Sequence, residues 1–173
     1  MAEQHNTILV VEDRADWQDI LCSTLEQHGH TPHAATNYQA ALAALDGTPF
    51  NLAVVDPVLD MANRFNRDGL SVIQKIKDSQ PGLPVIILTG SLTHDMEITL
   101  DRLYPGAPIL FKEKWDSRAF SQLVDSLVGQ PRPQPANQPP VLSIPEKTLT
   151  PPPAESALGR PRVLLVEDRH DWQ

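Results

Sequence analysis

Four apolar runs in this chain each end in a residue with chemistry to offer. ILVV at 8–11 is followed by Glu12 and Asp13, and LAVV at 52–55 by Asp56. VIIL at 85–88 is followed by Thr89, and ILF at 109–111 by Lys112. Three carboxylates meeting in one crevice suit Mg²⁺, a hard cation that prefers oxygen ligands. Asp56 there can act as a nucleophile toward phosphorus. Mg²⁺, the Lys112 ammonium and the Thr89 hydroxyl would offset charge on the transferring oxygens. Singly, each residue has a plainer explanation. An acidic pair after a strand often caps a helix, with Asp13 or Asp16 in that role. An Asp ending a strand is commonly a turn residue, a Thr there is ordinary, and a Lys is usually solvated. Four strand ends carrying the required types in the required order outweigh these readings taken one at a time.

The first of these motifs occurs twice. TILVVEDRADWQ at 7–18 returns as RVLLVEDRHDWQ at 162–173. A whole motif repeated in this way implies a repeated domain. The expected organisation is one complete domain over 1–129, a proline-rich linker over 130–161, and the first strand of a second, truncated domain over 162–173.

The elements that must position these residues follow from periodicity. Trp17, Ile20, Leu21, Thr24, Leu25 and His28 recur at helical spacing, and Gly29 can end that helix. A short second strand is expected at 33–36. A helix from Asn37 carries Tyr38, Ala41, Leu42 and Leu45 on one face and closes at Gly47. Leu70, Ile73, Gln74 and Ile76 mark a third helix, Met96, Leu100 and Leu103 a weaker fourth. Phe120, Leu123, Val124 and Leu127 mark a fifth, with Asp116 or Ser117 as N-cap and Gly129 as stop. Five β–α units in a row require a parallel sheet with helices on both faces. Strands covered on both faces read as continuous apolar runs, as these do. The expected fold class is α/β, a doubly wound five-stranded parallel sheet of order 2-1-3-4-5. Its ligand site then lies at the C-terminal strand ends.

Composition narrows the function classes. Hydrophobic residues make up 40% of the chain, enough for a core. The formal net charge of −8 argues against nonspecific nucleic-acid binding, which needs Lys and Arg. The single cysteine, Cys22, excludes an internal disulfide and suits a cytoplasmic setting. The apolar runs are too short to span a bilayer, and the N-terminus MAEQHN has no signal-peptide pattern. After Gly129 the chain turns proline-rich, QPRPQPANQPP and then TPPPAES, an extended and semi-rigid composition.

With these pieces assembled, residues 6–129 closely resemble the receiver domain of bacterial response regulators. The matching segments are ILVVED, LAVVD, the Asp68-Gly69-Leu70 triplet, VIILTG and ILFK. The resemblance implies that Asp56 accepts a phosphoryl group from a histidine kinase or phosphotransfer protein. It implies Asp13 as a direct Mg²⁺ ligand, Glu12 acting through water, and the Val58 backbone carbonyl as a further ligand. Thr89 and Lys112 would bind the phosphoryl oxygens. The domain would catalyse only its own phosphoryl transfer and slow dephosphorylation. Output would run through protein contacts, with no nucleic acid or membrane partner and a homodimer left open.

The chain departs from the family pattern in four places, one of them harmless: Gly90 follows Thr89, where a small residue is needed beside the phosphoryl group. Ile109 stands where an aromatic switch residue is usual, three positions before Lys112. Glu113 stands where a proline usually follows that lysine; without it the bond is expected trans. Between Asp56 and Asp68 lies PVLDMANRFNR, residues 57–67, longer than the usual turn. It is either a tolerated surface insertion or a lid beside the acceptor. Two alternative functions remain beside the phosphoacceptor. One is a degenerate receiver that binds partners without phosphorylation, which Ile109 keeps open. The other is a haloacid-dehalogenase-type phosphatase. Its acidic pair would follow the Lys, and a second Asp would stand where Val58 does. No glycine-rich dinucleotide fingerprint follows the first strand.

Overall fold

A computed structural model describes residues 5–60, 63 and 66–129. The linker and second motif copy expected from the sequence lie outside the described residues. Five strands alternate with five helices. The strands are β1 (Thr7–Val11), β2 (Thr31–Ala35), β3 (Leu52–Val55), β4 (Val85–Thr89) and β5 (Ile109–Phe111). The helices are α1 (Ala15–Gln27), α2 (Tyr38–Gly47), α3 (Asp68–Ser79), α4 (His94–Leu103) and α5 (Ser117–Val128). The sheet is parallel throughout with order β2-β1-β3-β4-β5, as the alternation requires.

The period of two along each strand divides the core into two layers. Leu9, Val11, Ala53, Val55, Val85 and Ile87 face one side with the apolar stripes of α2, α3 and α4. Ile8, Val10, Leu52, Val54, Ile86 and Leu88 face the other with Leu21 and Leu25 of α1 and Phe120 and Val124 of α5. Burying the central strands on both faces fixes their register. A slip by one residue would exchange the two layers.

Helix ends follow local chemistry. Asn37, Thr93 and Asp116 cap α2, α4 and α5, their side-chain oxygens accepting from the amides of Ala40, Met96 and Ala119. Gly29 stands at φ 77° after α1, and its amide donates to the Glu26 carbonyl at 3.0 Å. At the start of helix α1 the capping alternative for Asp13 and Asp16 does not hold. Arg14 holds the N-cap position and no side chain caps the helix. Asp16 is turned outward instead, paired with the Arg14 guanidinium at 3.1 Å. Strand β2 begins two residues earlier than its sequence pattern indicates. It pairs only with β1, from Thr31 beside Thr7 to Ala35 beside Val11, so Pro32 and its other polar residues can face water. Among the described residues no helix is long and apolar enough to cross a membrane.

Candidate functional site

Register brings the chemistry together. Val11 pairs with Val55 across β1 and β3, so Glu12, Asp13 and Asp56 emerge side by side. The Asp56 amide extends the ladder by donating to the Val11 carbonyl at 2.9 Å. Thr89 pairs with Phe111 across β4 and β5, which delivers Lys112 to the same edge. All the predicted side chains therefore leave strand ends at one rim of the sheet.

Lys112 is the centre of the charge cluster. Its Nζ lies 2.6 Å from Glu12 Oε2 and 2.7 Å from Asp56 Oδ2. Carboxylate oxygens of Glu12, Asp13 and Asp56 all lie within 4.8 Å of one another. Asp56 Oδ1 accepts from the Val58 amide at 2.9 Å, which fixes the carboxylate plane. Glu12 is only 1% exposed and Asp56 5%. Three ionised carboxylates against one ammonium leave a net charge of about −2. At an effective dielectric of ~20, like charges ~5 Å apart repel by about 3 kcal/mol. Burial pushes the Glu12 carboxyl up to about 7, even though Lys112 lies beside it. Burial also raises Asp56, with Lys112 and the Val58 amide opposing.

Asp13 Oδ1 is buried with no hydrogen-bond partner. An orphaned carboxylate oxygen, aimed into an anionic cluster, fits a divalent cation held by oxygen ligands. The acidic cluster is thus a suitable cation cradle.

The sign of the resulting pH dependence can be worked out. In the unfolded chain Glu12 ionises near 4.5, and in the folded protein near 7. Between those values the folded state holds a proton that the unfolded state lacks. The Glu12 contribution is therefore complete below 4.5 and lost as pH rises to about 7. In chelator-treated protein, Glu12→Gln should gain on wild type by roughly 3 kcal/mol between pH 4.5 and 8. Urea unfolding at the two pH values measures this. Parallel pH profiles for the two proteins would show that Glu12 ionises at its ordinary value.

Thr89 reaches the site but faces elsewhere. It is 1% exposed, and its hydroxyl donates to the Ser91 carbonyl at 2.8 Å. The bond ties β4 to the loop before α4, so engaging a group on Asp56 requires that hydroxyl to turn. Among the described residues no peptide bond is cis, which includes Lys112–Glu113. A Cβ added at Gly90 would stand 4.0 Å from the Lys112 Cδ, an ordinary contact, so packing there does not demand glycine.

The segment after Asp56 is more than a surface addition. Pro57 and Leu59 are buried, Leu59 against the α2–α3 layer of the core. Nearer α3, the Asn66 side chain accepts from the Asp68 amide and donates to its carboxylate, both at 3.0 Å. Of the rest, Met61, Ala62, Arg64 and Phe65 lie outside the described residues.

Several contacts at the site were hidden from sequence reasoning. Trp17 falls in the helical period and in the repeated motif, and its ring centroid lies 5.4 Å from Lys112 Nζ. Trp115 meets Trp17 edge-on, with ring centroids 5.5 Å apart. Gln18 Nε2 donates to the Glu12 backbone carbonyl at 2.7 Å, and the Arg14 amide donates to Glu12 Oε1 at 3.2 Å. At 12–18 the E-D-R-x-D-W-Q motif is therefore a self-bracing turn, and recurrence of the same residues at 167–173 was the available sequence signal.

A five-stranded doubly wound sheet with an acidic cluster and a lysine at its C-terminal rim is the frame of a phosphosignalling domain. The response regulator receiver domain family matches residues 8–107, and the chain belongs to that family. A putative NtrX-like response regulator of Rickettsia bellii is 31% identical over 100 residues, 58% of this chain and 20% of the relative. The transcriptional regulatory protein FixJ of Bradyrhizobium diazoefficiens is 25% identical over 126 residues, 73% of this chain and 58% of FixJ. The chain therefore spans only part of these relatives' lengths. The crystal structure of a CheY-like receiver domain protein from Methanospirillum hungatei shares the fold. Its TM-score is 0.65 at 21% identity, covering 72% of this chain and 94% of that one. The protein is a receiver-domain member of the two-component response regulators.

Proposed function

We propose that this domain is a phosphoacceptor module in which Asp56 takes a phosphoryl group from a histidine kinase or phosphotransfer protein. The supporting observation is the Asp56 carboxylate, with one oxygen held by the Val58 amide and the other by Lys112. Glu12, Asp13, Asp56 and the Val58 carbonyl would hold Mg²⁺, which supplies charge neutralisation for the phosphoryl oxygens. An Asp56 oxygen attacks phosphorus, the phosphorus–nitrogen bond of phosphohistidine breaks, and the imidazole departs with the bonding pair. Lys112 then faces phosphoryl oxygens in place of a bare carboxylate. Thr89 turns from Ser91 to donate to the same group. The domain performs no chemistry beyond its own phosphorylation and slow hydrolysis. The repeat at 162–173 supports a second module of the same kind, joined through the stretch at 130–161.

A receiver acting without phosphorylation is the second reading, favoured by the Thr89–Ser91 bond and by Ile109 at the switch position. One experiment separates the two. Protein incubated with Mg²⁺ and acetyl phosphate should gain one hydroxylamine-labile phosphoryl unit by intact mass. Acetate is the leaving group in that reaction, and peptide mapping should place the unit on Asp56. A chelator should suppress it. An unmodified mass at long incubation would leave only the phosphorylation-independent reading.

A further inference from the structure

We infer that Trp17 is a positioning residue for Lys112, a fixed aromatic partner that keeps the ammonium in the site. This rests on the phosphoacceptor reading above. Lys112 Nζ is 9% exposed as a side chain and has two carboxylate neighbours, Glu12 and Asp56, at 2.6 and 2.7 Å. A third neighbour is the Trp17 ring, 5.4 Å from nitrogen to centroid and within cation–π reach. A divalent cation competes for the same two carboxylates. An indole face is no ligand for a hard cation, so it remains Lys112's partner when the carboxylates are drawn away.

The ring is itself held in place. Trp17 occupies the first turn of α1, directly before Gln18, whose side chain is bonded to the Glu12 carbonyl. Trp115 packs on it edge-on at 84°, and Phe120 of α5 lies behind Trp115 with centroids 5.0 Å apart. The Trp115 amide donates to the Lys112 carbonyl at 3.3 Å, closing the 3₁₀ turn Lys112–Lys114. Both ends of that turn thus meet Trp17: Lys112 through its charge, Trp115 through its ring. A second observation comes from the chain itself. The motif copy at its end keeps Trp172 and Gln173 at the same offsets from Glu167 and Asp168. The indole and the amide therefore recur with the acidic pair as one unit.

The test compares Trp17→Leu, which keeps apolar bulk without a π face, with Trp17→Phe, which keeps a face. In metal-free protein the Lys112 Cε–H resonance, assigned by its loss in Lys112→Arg, should be shifted upfield by the ring. That shift should vanish in Trp17→Leu and persist in Trp17→Phe. Phosphorylation by acetyl phosphate with Mg²⁺ should slow about 5-fold to 30-fold in Trp17→Leu, which at 1.36 kcal/mol per tenfold is about 1–2 kcal/mol. Trp17→Phe should recover most of the rate. A Trp17→Leu protein phosphorylated at the wild-type rate overturns the inference, as does a Phe variant that rescues nothing. If wild type itself takes no phosphoryl group, the phosphoacceptor reading fails, and the Lys112 resonance alone decides whether the ring holds the ammonium.

Discussion

Asp56→Asn is expected to abolish phosphoryl uptake and to leave the metal-free protein at least as stable as wild type at pH 8. Loss of uptake follows from chemistry, because an amide oxygen is too weak a nucleophile to displace acetate from phosphorus. The stability expectation follows from the charge balance at the rim. Asp56 is 5% exposed, and burial raises its carboxyl above the ordinary range. At pH 8 the buried charge is maintained against that bias. Removing one buried partner of an ion pair usually costs about 3–5 kcal/mol, because the other charge is stranded. Here Lys112 is not stranded, since Glu12 Oε2 remains 2.6 Å away. The asparagine carbonyl can still accept from the Val58 amide, although its NH₂ then faces the ammonium. The net expectation is a gain of about 1 kcal/mol, the lost repulsion slightly exceeding the mismatch. Urea unfolding in chelator at pH 8, beside mass spectrometry after acetyl phosphate treatment, measures both. A labelled Asn variant would move the acceptor elsewhere. A variant destabilised by several kcal/mol would show that Lys112 depends on Asp56 rather than Glu12.

What the sequence discloses is governed by range. The strand ends were legible because buried parallel strands are uninterrupted apolar runs, and the polar residue that stops each run is the one at the rim. Asp56 and Lys112 are 56 residues apart, yet both are found this way, since topology alone brings them together. The edge strand β2 was read as starting two residues late because it buries little and so lacks that run. The plainer alternative, Asp13 or Asp16 as a helix cap, fails for a different reason. Asp13 turns toward the acidic cluster and Asp16 toward Arg14, so each is claimed by a partner that helix propensity ignores. The Thr89 hydroxyl shows a further limit. Its position was legible, but its bond to Ser91 is a rotamer choice set by the loop. Trp17 was legible through its place in the repeated motif, but not as a partner of Lys112. Its apolar face fits helical periodicity equally well, and its contact with Lys112 spans α1 and the end of β5.

Gly69 is where backbone packing and site geometry meet, and Gly69→Ala is expected to lower stability by about 2–3 kcal/mol. The residue is the second of α3, and the Asp68-Gly69-Leu70 triplet was first noted only as a family likeness. A Cβ built there would stand 2.0 Å from the Asp56 carbonyl oxygen. It would also lie 2.6 Å from Pro57 Cα and 2.7 Å from the Pro57 carbonyl carbon. All three are backbone atoms, so no side chain can swing aside. Either α3 lifts from the sheet or the Asp56–Pro57 peptide moves. Overpacking of a tight contact usually costs about 1–3 kcal/mol, and a clash with backbone on every near side belongs at the top of that range. The favourable helix propensity of alanine, up to ~1 kcal/mol over glycine, offsets only part of it. Gly47→Ala supplies the control. Gly47 ends α2, and a Cβ there meets nothing within 4 Å, so it should be neutral or slightly stabilising. The functional consequence is separable from stability, because the displaced peptide carries the acceptor and the Val58 amide that orients it. Folded Gly69→Ala protein, assayed well below its melting temperature, should therefore take up phosphoryl more slowly than Gly47→Ala. If the two variants unfold at the same urea concentration, α3 does not rest on the backbone that carries Asp56. Equal rates of labelling would mean that the peptide yields without disturbing the carboxylate.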